Sequence, residues 1–199
     1  SIASTVFSTQ FSWLTSAFQI LSAVVTYSHV FSISHNDLYP RNILVKRLNR
    51  PQTFTYNIFE KKFAISIEYV LAVTDFGICS SPLLSAADCP EVASTLKGEP
   101  RSKNMSFGSI PPKRHILHYK FLFPYTRDIY LVLKWMAFAI KGFPRAPPVI
   151  ISWAKSALAN VDKNEDHFAE PSATLKLFLH IFSNEALNNF QLPSLMSKT

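Results

Sequence analysis

Two short segments hold the groups in this chain that could do chemistry. "SHNDLYPRNILV", residues 34–45, places His35, Asp37, Arg41 and Asn42 in one polar loop that apolar residues follow at once. "VLAVTDFGICS", residues 70–80, delivers Asp75 at the end of an apolar run, just ahead of Phe76 and Gly77. A carboxylate for an attacking hydroxyl, and a carboxylate plus a carbonyl oxygen for a divalent cation, are the parts that phosphoryl transfer from a nucleotide requires. Asp37 suits the first role, and Asp75 with Asn42 the second. Magnesium takes oxygen ligands, commonly one or two carboxylates together with substrate phosphates. Gly77 is expected to give the backbone freedom to turn after Asp75. Asp and Asn also cap loops without any chemistry, so the weight rests on both segments occurring in this order.

The elements that must position these residues can be read from periodicity. Residues 1–34 contain no Asp, Glu, Lys or Arg, and Phe7, Phe11, Leu14, Phe18, Leu21 and Val25 recur at spacings of four and three. That is an amphipathic helix stripe, expected to pack in the core and not to cross a membrane. No basic leader and no small-residue cleavage site mark a signal peptide. "NILVKRL" reads as a short buried strand that "RPQ" breaks. Alternation on both sides of "EKK" predicts a hairpin at about 53–70, with no glycine to fix its turn. Val70–Val73 reads as a buried strand leading to Asp75.

Residues 77–124 carry Pro82, Pro90, Pro100, Pro111, Pro112 and Pro124 and read as a long irregular, functional loop. "RDIYLVLKWMAFAI", 127–140, is apolar nearly all round and reads as a central buried helix. Two amphipathic helices follow, "SWAKSALANV" with Trp153, Ala157, Leu158 and Val161 on one face, and "SATLKLFLHIF" with Leu175, Phe178, Leu179 and Phe182. The tail is expected to fray. The fold class is α+β, mostly α.

At 199 residues the chain fits one domain with a sizeable core. Its net charge is +7, but the basic residues lie in small groups (Lys46, Arg47, Arg50; Lys61, Lys62; Lys97, Arg101, Lys103; Lys113, Arg114). Solvated loops explain that pattern better than a nucleic-acid track, and a polyanion such as a nucleotide also suits it. Cys79 and Cys89 lack metal-ligand spacing and fit a reduced intracellular compartment; a disulfide between them has little support.

Taken together, H-x-D-L-x-x-x-N-I-L, then an apolar strand, then D-F-G, resembles the catalytic loop and metal-binding segment of the eukaryotic protein kinase-like superfamily. The resemblance covers about residues 5–140 and implies the large, C-terminal lobe of that fold, with a β-hairpin insertion and no small lobe. It divides the chain into a leading helix (1–34), catalytic and metal-binding segments (34–80), an activation-segment-like loop (81–124) and a helical subdomain (125–199). It implies ATP and Mg²⁺ as cofactors and a protein Ser or Thr hydroxyl as substrate. Asp37 would orient that hydroxyl and take its proton, and Asn42 and Asp75 would bind Mg²⁺. Arg41 would meet the transferring phosphate in place of the Lys usual two residues after the Asp, where this chain has Tyr39. His35 would pack behind Phe76, and Asp128, opening "RDIYLVLKW", would brace the loop backbone.

The departures are as informative. Asn36 replaces an Arg that commonly reads activation-loop phosphates, and no Ala-Pro-Glu follows. The combination looks most like haspin-like kinases and the divergent kinase-like proteins of large DNA viruses. His-Asn-Asp-Leu also occurs in relatives of choline and aminoglycoside kinases, so a small-molecule phosphotransferase is the alternative. A catalytically weak, pseudokinase-like binding module is the third reading. No glycine precedes Gly77 and no lysine occurs in residues 1–34. A fragment, a split gene product or a degenerate kinase is therefore expected, with the small lobe supplied by a missing N-terminal half or a partner. No membrane or clear nucleic-acid partner is expected, and the location is expected to be cytoplasmic, with the nucleus as an alternative and a host cell if viral.

Overall fold

The computed structural model describes residues 6–77, 79, 124–140, 143–163 and 171–197. Helix α1 (Gln10–Phe31) is followed by a 3-10 turn (Pro40–Asn42), strands β1 (Ile43–Ile58) and β2 (Lys61–Val73), and helices α2 (Pro124–Ala137), α3 (Pro148–Lys163), α4 (Pro171–Ile181) and α5 (Asn184–Asn188). The architecture is α+β: helices around one core, with a single antiparallel hairpin among the described residues.

Thr9 starts α1 through a capping box: its hydroxyl accepts from Ser12 N–H at 3.1 Å, and Ser12 Oγ accepts from Thr9 N–H at 2.9 Å. The helix therefore begins after Phe7, not at it. Phe7 instead packs beside the helix against Trp13 and Phe143. Phe11, expected on the buried stripe, is 42% exposed. The stripe expectation is corrected in a larger sense too. Every residue from Trp13 to Ser22 is buried, because α2, α3, α4 and β2 all pack on α1. Helix α1 shares the centre with α2, the helix expected over 127–140, which is buried as expected at Ile129, Val132, Leu133 and Met136 but ends at Ala137 and leaves Phe138 53% exposed. The length and composition of α1 would suffice to cross a membrane, and 72% of its apolar window is buried inside the fold. Two of the polar groups taken into the core are satisfied locally, Thr15 by donating to Phe11 O at 2.9 Å and Ser22 to Gln19 O at 2.8 Å, whereas Gln19 reaches to Tyr69 and Leu71 on β2. Phe18 gathers the rings of Tyr56, Phe63, Phe178 and Phe182 around it, a packing arrangement that aromatic pairs favour.

The hairpin is longer than expected. "RPQ" does not end the first strand; β1 runs through Pro51, and the interruption is a bulge. Arg47 pairs with Tyr69 and Gln52 with Ile67, so Leu48–Pro51 stand opposite Glu68 alone. Pro51 lacks an N–H for the ladder, and a bulge is where a strand tolerates that. The segments 42–48 and 70–73 are the base of the same hairpin, not separate buried strands. Leu44 is 60% exposed, since a two-stranded sheet has one face in solvent. The turn is Phe59–Glu60, with Phe59 at φ 53°. That conformation is costly for a bulky residue, and Phe59 is held there by edge-to-face packing on His29, centroids 4.5 Å apart.

The described tail, through Ser197, does not fray. Leu192 and Leu195 are buried. Ala64 N–H donates to Leu195 O at 3.1 Å and Ser197 N–H to Lys62 O at 2.9 Å, so the tail pairs with the outer edge of β2. Of the loop expected at 81–124, residues 81–123, with Cys89 and the basic residues at 97–114, lie outside the described residues, and Pro124 belongs instead to the start of α2.

Candidate phosphoryl-transfer site

Ser32, at φ 51°, ends α1, and the chain enters the polar loop. Two groups reach in from elsewhere to fix it. The Asp128 carboxylate, fully buried on α2, accepts His35 N–H at 2.6 Å and Asn36 N–H at 3.0 Å. Tyr27, near the end of α1, donates its hydroxyl to the same carboxylate at 2.8 Å. Burial pushes the Asp128 carboxyl above its usual range, while the bonds from His35, Tyr27 and Asn36 pull the other way. Burial, with the neighbouring Asp128 charge, pushes the Tyr27 phenol well above its ordinary value.

His35, also fully buried, links the two chemical segments. Its Nδ1 accepts Asp37 N–H at 3.3 Å, and its Nε2 lies 2.8 Å from Thr74 O. The backbone N–H can only donate and the carbonyl can only accept. The ring is therefore the neutral tautomer with its proton on Nε2. Thr74 N–H in turn donates to Asn42 O at 3.0 Å. Thr74 is thus held at both backbone atoms by the loop, and Asp75 follows it immediately. The His35 and Phe76 rings pack with centroids 4.7 Å apart, and Tyr27 meets Phe76 edge-on at 5.6 Å.

Asp37 is mostly buried at 17% side-chain exposure, while Arg41 is 55% exposed. Arg41 Nη2 lies 2.8 Å from both carboxylate oxygens of Asp37 and its guanidinium sits over the Tyr39 ring at 5.1 Å. Asn42 Nδ2 donates to Asp37 O at 2.7 Å and to Asp37 Oδ2 at 3.1 Å. With the amide nitrogen engaged, Asn42 offers its Oδ1 to a cation.

Asp75 carries the backbone strain expected of its neighbour. Its φ is 65°, as is that of Asn36, and Asp and Asn tolerate the left-handed region better than most residues. Gly77 matters for space, not for freedom: a Cβ there would lie 3.3 Å from Asp75 Oδ1. The Asp75 side chain folds over the glycine, and the residue is exposed. Among the described residues no group of three or more His, Cys, Asp or Glu side chains comes together. The oxygens of Asn42 and Asp75 are nevertheless the kind of donor magnesium takes when phosphates and water complete its shell.

The structure therefore brings His35, Asp37, Arg41, Asn42, Asp75, Phe76, Gly77 and Asp128 into one hydrogen-bonded and packed neighbourhood. Tyr27 and Thr74 belong to it as well and have no motif to announce them. Thr74 acts through its backbone, which leaves no trace in residue type. Compared with family models, curated protein sequences and solved structures, the chain matches none.

Proposed function

We propose that the chain is the catalytic lobe of an ATP-dependent phosphotransferase acting on protein Ser or Thr hydroxyls, working with a small lobe supplied by the rest of the protein or by a partner. The carrying observation is the buried Asp128 carboxylate holding the backbone at His35 and Asn36, directly before Asp37. Such a carboxylate preorganises a loop whose residue types suit the chemistry, and preorganisation is most of what phosphoryl transfer asks of a protein. In this reading Asp37 orients the acceptor hydroxyl and takes its proton. Asn42 and Asp75 hold Mg²⁺, which neutralises charge on the nucleotide phosphates. Arg41 leaves Asp37 for the transferring phosphate when the nucleotide binds.

A second reading rests on the Arg41–Asp37 ion pair. Both oxygens of the proposed base are engaged by the guanidinium, which suits a binding module with little transfer activity. Phosphate transfer from ATP to a protein substrate, measured with and without a supplied small lobe, separates the two. Transfer that depends on Asp37 supports the kinase reading. Mg²⁺-dependent nucleotide binding with no transfer under either condition supports the module.

A further inference from the structure

A cavity of about 230 Å³ lies between the first turns of α1 and β2, and it shares no residue with the neighbourhood of Asp37. Ser8, Ser12, Thr15, Ser16 and Gln19 line it from α1, polar residues at the spacing of one helix face. A polar helix face ordinarily meets bulk water, yet Thr15, Ser16 and Gln19 are only 5%, 3% and 6% exposed. Glu68 and Tyr69 line the cavity from β2, and Phe11, Ile67 and Pro51 of the hairpin bulge supply its apolar wall. Burying polar groups costs free energy unless they are hydrogen-bonded, and the cavity leaves room for an occupant that bonds to them.

The bonds already made on these walls decide what that occupant must offer. Thr15 spends its one proton on the carbonyls of Phe11 and Ser12, which leaves its oxygen an acceptor. Gln19 Oε1 accepts Leu71 N–H and keeps a second lone pair, while its Nε2 gives one hydrogen to Tyr69 O. The Ser16 hydroxyl makes no hydrogen bond among the described residues. Glu68 can only accept, and it has no ion pair among the described residues. Although the chain carries a net charge of +7, no Lys, Arg or His lines the cavity. Acceptors outnumber committed donors, and the one charge on the walls is negative, so a cation rich in N–H groups fits. The volume is below the roughly 300–1,000 Å³ of pockets for drug-sized ligands and suits a single long side chain.

We propose that this cavity takes the guanidinium of an arginine side chain presented by a protein partner. A guanidinium spreads five N–H donors over a plane and is more weakly hydrated than an ammonium, which matches acceptors distributed over two walls and partly withdrawn from water. Its aliphatic stem packs on Phe11, Pro51 and Ile67, and the ring of Tyr69 offers a face to the cation. The exposure of Phe11, unexpected for a residue of the apolar stripe, has a use in this reading. The backbone beside the cavity points to a polypeptide as the source. Lys62 and Ala64 bond to the C-terminal tail, and Ser66 follows them in the alternation of β2. Its N–H and C=O therefore turn to the same outer edge, where Ser66 also lines the cavity and can meet the main chain that carries the arginine.

The test is isothermal titration calorimetry of the 199-residue chain with a capped glycyl-arginyl-glycine tripeptide, and circular dichroism to verify folding. The expected result is saturable one-to-one binding. The tripeptide with citrulline in place of arginine keeps the shape and loses the charge and a donor, and it binds at least about tenfold more weakly. Glu68→Gln, at an exposed position, leaves folding unchanged and weakens the arginine tripeptide about three- to tenfold. Ser16→Leu fills the cavity and abolishes binding; if that variant fails to fold, Glu68→Gln and the citrulline tripeptide decide. n-Propylguanidine, the side chain without a main chain, separates the sources and binds more weakly than the tripeptide. No binding of the arginine tripeptide, equal binding of the citrulline tripeptide, no effect of Glu68→Gln, undiminished binding by folded Ser16→Leu, or n-propylguanidine binding as tightly as the tripeptide would each overturn the proposal.

Discussion

The carboxylate of Asp128 and the backbone N–H of His35 are 93 residues apart in sequence and 2.6 Å apart in space. The contact ties the helix after the long loop to the segment that carries Asp37. Asp128 also receives Asn36 N–H and the Tyr27 hydroxyl, so Asp128→Ala strands three donors in a buried site. An unsatisfied buried donor costs about 1–3 kcal/mol. We therefore expect Asp128→Ala to lose roughly 3 kcal/mol or more in urea-denaturation measurements. Asp128→Asn should lose less, since its one carbonyl oxygen still accepts while its amide group confronts donors. A loss for Asp128→Ala within about 0.5 kcal/mol, the range of an ordinary surface substitution, would rule out this bracing role.

Tyr27 sets the alkaline limit of the same cluster. Its folded-state phenol is held well above the ordinary value, first by burial and then by the Asp128 charge and hydrogen bond. The unfolded chain therefore releases this proton first. The stabilisation is fully present below the unfolded phenol value, about pH 10, and is lost as pH rises from there through the folded value. Wild-type stability should fall more steeply above about pH 10 than that of Tyr27→Phe. The substitution should itself cost about 0.5–1.5 kcal/mol at neutral pH by removing the bond to Asp128. Parallel pH–stability curves for the two proteins would mean that Tyr27 titrates no differently when folded.

Much of the site could be read from residue types, because Asp, Asn, His and Gly in a polar loop have few uses. The hairpin was legible from its alternation at 54–58 and 63–69, and its extension through Pro51 was not. A bulge restores the register after a proline, and only the pairing partner reveals it. The α1 stripe misled because burial on several sides erases periodicity: Thr15, Ser16, Gln19 and Ser22 are inside, and Thr15, Gln19 and Ser22 donate to carbonyls that residue type does not disclose. The tail was unreadable for a related reason. Its pairing with residues 62–64 is made by backbone atoms, to which sequence periodicity is blind.

Gly77→Ala separates space from flexibility at Asp75. The new Cβ would meet Asp75 Oδ1 at 3.3 Å, and the carboxylate is the mobile end of an exposed side chain. Stability should change by less than about 0.5 kcal/mol, while the carboxylate shifts. If Asp75 holds Mg²⁺, nucleotide affinity at limiting magnesium should fall and recover at high magnesium. Large destabilisation with unaltered magnesium dependence would place the importance of Gly77 in the backbone.

With a small lobe supplied, Asp37, Asn42 and Asp75 should fail in different ways. Asp75→Asn keeps the shape but removes the carboxylate proposed to keep Mg²⁺ on the phosphates, so under that proposal it should raise the magnesium requirement sharply. Asp37→Asn should leave nucleotide affinity nearly intact, because its carboxylate faces Arg41 and Asn42 and is assigned to the acceptor hydroxyl. Losing a positioned base typically costs about 10²–10⁴-fold in rate. The substitution also weakens the Arg41 contact, but an ion pair whose cation is half exposed adds little stability. Folding should therefore survive, and the rate loss can be read as chemistry. Asn42→Ala should fall between the two: water can replace one neutral oxygen on magnesium, yet the bonds from Nδ2 that orient Asp37 are lost as well. The measurement is nucleotide affinity and phosphate transfer across a magnesium titration for all three variants. Loss of ATP binding in Asp37→Asn, beside an unaltered metal response in Asp75→Asn, would exchange the roles assigned to the two segments and remove the basis for the phosphotransferase reading.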